Sequence, residues 1–62
     1  MKISNQISAR LLQIDNQIRE LRVLEEIYIG LGDYTRLEAK KDIISILVEE
    51  QLFLRDILTQ IQ

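Results

Sequence analysis

The chain contains no histidine and no cysteine. The two side chains that most readily move protons or attack as nucleophiles near neutrality are therefore missing. What chemistry remains falls on hydroxyls and carboxylates. Ser4, Ser8 and Ser45 have no imidazole to activate them. Ser4 is placed to cap a helix, and Ser45 to sit on a solvated face. Glu25/Glu26 and Glu49/Glu50 are adjacent carboxylates, but a dimetal site in a helical bundle adds Glu-x-x-His from facing helices. Without His they read as solvated or salt-bridged glutamates. Gly30-Leu31-Gly32 is too short for a phosphate-binding loop and has no strand before it, so it reads as a turn. The expectation is a non-enzymatic protein with no catalytic residue, no cofactor and no metal.

Charge narrows the partners. Eight basic and ten acidic residues leave a net charge of −2, which argues against a nonspecific nucleic-acid binder. Arg19, Arg22, Arg36, Lys40 and Lys41 lie in the half nearest the glycines. Glu20, Glu25, Glu26, Asp33, Glu38 and Asp42 share that half and offset them. A membrane is excluded on two grounds. No apolar run approaches the ~20 residues that span a bilayer. The polar face of the second half carries Asp42, Glu49 and Asp56, which anionic lipid headgroups repel. Lys2 is followed by Ser4, Asn5, Gln6 and Ser8 rather than the apolar core of a secretory leader, so a cytoplasmic location is expected.

The elements that position these residues follow from punctuation and period. Proline is absent and both glycines stand near the midpoint, so two long segments flank one break. The first, about 4–29, opens at Ser4 as N-cap. It carries Ile7, Leu11, Ile14, Ile18 and Leu21 at alternating steps of four and three, a heptad seam. Glu25 then takes the next seam position, with Leu24, Ile27 and Tyr28 beside it. Gly30 is the expected left-handed terminator. A turn over 30–34 leads to a second helix, about 35–61, whose Thr35-Arg36-Leu37-Glu38 start reads as a capping box, with Asp33 as the competing cap. Its Ile43–Val48 run has strand-forming residues, but charged flanks without turn residues favour helix. Leu37, Ile44, Leu47, Leu54, Leu58 and Ile61 form one stripe, and Ile43, Ile46, Phe53 and Ile57 a second. The fold class is thus all-α: one domain over 1–62, an antiparallel two-helix hairpin.

A hairpin alone is not enough. A chain of 62 residues is marginal as a single domain without disulfide or metal. One narrow seam covers only one of the two stripes, and monomers seldom expose extended apolar patches. Dimerisation into a four-helix bundle resolves this, with Ile43, Ile46, Phe53, Ile57 and Ile61 as the oligomer interface. Two polar pairs are expected to set register: Glu25 with Lys40 near the turn, and Arg10 with Glu50 towards the other end. Leu12 and Leu52 point away from the main seams and, with Val23 and Ile27, form the expected patch for a larger protein target.

Two resemblances follow from the layout. Two helices, a short turn and an acidic balance in about this length resemble Rop, the plasmid-encoded RNA-binding dimer. That resemblance implies an RNA-binding four-helix bundle of a plasmid or phage as the alternative function. Ile18-Arg19-Glu20-Leu21-Arg22 is similar to the first helix of a family of small sporulation phosphatases. Their Ser-Gln-x-x-Asp signature is replaced here by Glu38-Ala39-Lys40-Lys41-Asp42, so the activity does not carry over. The function expected is that of a small bacterial or phage regulatory or adaptor protein. It acts through protein–protein contacts and self-associates through the wide face of the second helix.

Overall fold

The computed structural model describes residues 2–61. Two helices, α1 (Lys2–Leu31) and α2 (Tyr34–Ile61), pack side by side as an antiparallel hairpin. The Cα extents are 46 × 15 × 11 Å. The long dimension is that of α1 itself, since 30 residues at about 1.5 Å each span about 45 Å.

The connection is tighter than the sequence suggests. Gly30 is an ordinary helical residue, and Gly32 takes the left-handed conformation, with φ +70°. The Gly32 N–H donates to the Ile29 carbonyl at 3.1 Å, and the Asp33 N–H donates to the Tyr28 carbonyl at 2.9 Å. This pair of bonds is the Schellman closure of a helix C-terminus, and it needs the left-handed residue one position past the last helical one. That position is 32, so α1 runs two residues beyond the expected end.

Asp33 also starts α2. Its Oδ1 accepts from the Arg36 N–H at 3.2 Å, and its carbonyl accepts the first helical bond, from the Leu37 N–H at 3.1 Å. Asp33 is therefore the N-cap, and Thr35 lies inside the first turn instead of heading a capping box. An aspartate already placed by the Schellman closure wins over a threonine two residues later. Ser4 likewise lies inside α1, because the helix already includes Lys2.

The seams meet as their spacing requires. Ile14, Ile18, Leu37 and Ile44 are buried, and Leu21, Leu47, Val48 and Leu54 pack on the cluster formed by Ile14, Ile18 and Ile44. Ile7 and Leu11 are half-buried on the same seam. The stripe of α2 that faces α1 is thus the one containing Leu37, Ile44, Leu47, Leu54 and Leu58. Leu24 and Tyr28 take over from the α1 seam as expected, but Ile27 does not, being exposed.

The two glycines should respond oppositely to alanine. A Cβ at either position meets nothing within 4 Å, so backbone conformation decides. Gly30→Ala should stabilise by ~0.5–1 kcal/mol, as expected for a helix interior. Gly32→Ala should destabilise by ~1–2 kcal/mol, the cost of a left-handed non-glycine residue. Urea unfolding followed by helical circular dichroism measures both. Destabilisation at Gly30 instead would place the end of α1 there.

Candidate interaction surface

Once α1 covers its own stripe of α2, the second stripe is left open. Ile46 and Phe53 are 65% and 64% exposed and Ile43 is 41% exposed, while Ile57 is half-buried. These residues lie about a third of a turn around α2 from the buried seam. A groove of about 400 Å³ runs beside them, lined by Gln17, Glu20, Leu21 and Leu24 of α1 and Ile43 and Leu47 of α2. One flank of the hairpin therefore combines half-buried leucines of α1 with exposed isoleucines and phenylalanine of α2. Ile61, also expected in this interface, is 41% exposed at the last turn of α2.

The same flank holds the only ion pair joining the two helices among the described residues. Arg10 is two heptads from Leu24 and one from Gln17, so it shares their side of α1. Its Nε donates to Glu50 Oε2 at 2.7 Å, and its Nη2 to Glu50 Oε1 at 2.9 Å. This is the forked geometry in which a guanidinium matches both oxygens of a carboxylate. Arg10 Nη1 also donates to Gln13 Oε1 at 2.9 Å, which steadies the fork from its own helix. The side chains of Arg10 and Glu50 keep just over a third of their surface exposed. The hydrogen bonds from Arg10 hold the Glu50 carboxyl below the usual glutamate range, against an opposing effect of partial desolvation. The bond to Glu50 raises Arg10 further above its already high value.

Glu25 and Lys40 are not brought together in this way. Both are half-buried, yet no ion pair joins them. With water still reaching both groups, a pair there gains little over solvation, and nothing compels the two flexible side chains to meet.

The expected partner patch divides between surfaces. Leu12, Val23 and Ile27 are exposed on the side of α1 that faces away from α2, and Leu52 is exposed on the flank of α2 opposite the groove. Sequence reasoning had no basis for the groove, because Leu21 and Leu24 join Ile43 and Leu47 only across the hairpin.

Three further ion pairs are local, each within one turn of helix. Arg19 pairs with Asp15 at 2.6 Å, Arg36 with Asp33 at 3.4 Å and Lys41 with Glu38 at 3.8 Å. Among the described residues no group of three or more metal-ligating side chains occurs, and no helix there is long and apolar enough to cross a membrane. Comparison with protein families, characterised proteins and solved structures gives no match to this chain.

The Arg10–Glu50 pair makes stability depend on acid in a defined direction. A carboxyl held low in the folded state contributes stability that is present above the ordinary glutamate range and is lost as pH falls through the lowered value. The native chain should therefore be more stable than Arg10→Gln at pH 7. The two should converge as the solution becomes acidic enough to protonate Glu50. Thermal unfolding across pH tests this, and a difference that persists unchanged into strong acid counts against the pair.

Proposed function

We propose that this is a small non-enzymatic adaptor or regulatory protein that self-associates through the groove flank and engages a larger protein through other exposed apolar residues. The observation that carries the reading is the open row of Ile43, Ile46 and Phe53 beside the groove, on a chain without His or Cys. The exposed area of the whole chain is large enough to supply an interface with a second copy. A compact protein of 7.3 kDa exposes about 4,200 Å² by the usual size scaling. This chain exposes 4783 Å², an excess of about 600 Å² over that figure. Two copies covering that much each would bury about 1,200 Å² in total, the lower end of the range for specific interfaces. Dimerisation of two such hairpins gives a four-helix bundle.

The outer residues Leu12, Val23, Ile27 and Leu52 support the adaptor half of the reading, since covering the groove flank leaves them free. The Rop-like alternative has less support. Three of the five basic residues in the turn-proximal half are engaged by neighbouring carboxylates, so no concentrated field for phosphate develops there.

Sedimentation at micromolar concentration should give twice the mass of 7.3 kDa. Ile46→Glu with Phe53→Glu should abolish that association. Leu12→Glu with Leu52→Glu should keep helix content and dimer mass while losing capture of the native target. A folded native monomer overturns the self-association. Unfolding of the Leu12/Leu52 variant assigns those leucines to the core.

A further inference from the structure

Ile43, Ile46, Glu50, Phe53 and Ile57 follow one another at steps of three, four, three and four. That is an unbroken heptad seam along the open flank of α2, with a single charged residue at its centre. The charge is the one that Arg10 holds by two hydrogen bonds from α1. On either side of Glu50 the apolar positions mirror each other, Ile43 and Ile46 before it, Phe53 and Ile57 after it.

We propose that the Arg10–Glu50 pair is the register key of an antiparallel dimer whose two-fold axis crosses within about one helical turn of Glu50. The proposal rests on the self-association reading and specifies it. With the axis there, Ile43 and Ile46 of one copy meet Phe53 and Ile57 of the other, so every apolar position finds an apolar partner. The two ion pairs then lie close together near the axis. Arg10 uses three N–H groups on Glu50 and Gln13, and a guanidinium carries five, so it retains donors for the facing copy's carboxylate. Sliding one copy by a heptad, about 10 Å, sets each ion pair against isoleucine. It is then desolvated with no new polar contact, which is the costly way to bury a charge. Apolar positions alone would not discriminate so sharply, because isoleucine meeting isoleucine looks the same one heptad away. A lone polar position in an apolar seam is the device that fixes register and partner number in coiled coils.

The chain has no cysteine, so a nitroxide placed by Thr35→Cys reports a single distance per dimer. Thr35 is fifteen residues from Glu50, so the antiparallel arrangement separates the labels by about 45 Å. A parallel arrangement brings them within about 20 Å. The native background should give one long distance. Arg10→Leu with Glu50→Leu should remain dimeric but add populations about 10 Å shorter and longer than the native distance, because a uniformly apolar seam accepts a heptad slide. Arg10→Glu with Glu50→Arg, which keeps the pair reversed, should restore the single long distance. A native dimer with only the short distance overturns the proposal. So does a leucine variant that keeps the native distance alone, or a reversed pair that fails to restore it. A native chain that sediments as a monomer overturns the self-association reading itself and this inference with it.

Discussion

Everything else in this fold hangs on how the chain reverses at Gly32 and Asp33. A helix end leaves four carbonyls without partners and a helix start leaves four N–H groups, and here both ends fall within two residues. One residue of the turn serves both ends. The Asp33 N–H closes α1 on Tyr28, while its carboxylate and carbonyl open α2 towards Arg36 and Leu37. Gly32 supplies the single left-handed conformation this needs. So short a link holds the helices antiparallel and sets their relative level, so Ile14 and Ile18 reach the depth of Ile44.

The geometry that makes the hairpin also leaves a second apolar stripe of α2 exposed. Two cylinders in contact share one line of side chains, and among the described residues only Ile14, Ile18, Leu37 and Ile44 are buried along it. α2 was built with more apolar surface than one line can use. Its second heptad seam therefore remains on the flank beside Leu21 and Leu24. The Arg10–Glu50 ion pair stands in the middle of that apolar flank rather than at a solvated rim. There it crosslinks the hairpin at a distance from the turn, and it places a charge where a covering surface must either match it or be excluded.

The contrast between the two polar pairs considered in the sequence is instructive. Glu25 and Lys40 fall on the seams and at matching levels by simple arithmetic on the turn, yet they stay apart. Arg10 and Glu50 are offset from that level by about a helical turn, yet they form the forked bond. Length and planarity explain the difference. A guanidinium reaches across the offset and engages both carboxylate oxygens, whereas an ammonium near the turn has water as an adequate alternative. Level alone does not make an ion pair.

The sequence by itself determined the class of fold. Absence of proline, one cluster of glycines and alternating steps of three and four dictate two long helices and the seam on which they meet, because helical period depends only on local backbone geometry. It also located the excess apolar stripe of α2. It left the end of α1 and the cap of α2 ambiguous, since Gly30 and Gly32, or Asp33 and Thr35, are locally equivalent candidates. Only the closing bonds from Gly32 and Asp33 to Ile29 and Tyr28 chose between them. Which stripe of α2 faces α1, which leucines of α1 border the open flank, and that Arg10 reaches Glu50 were decided by the tertiary structure. Each depends on the rotation of one helix against the other, a quantity no local pattern contains.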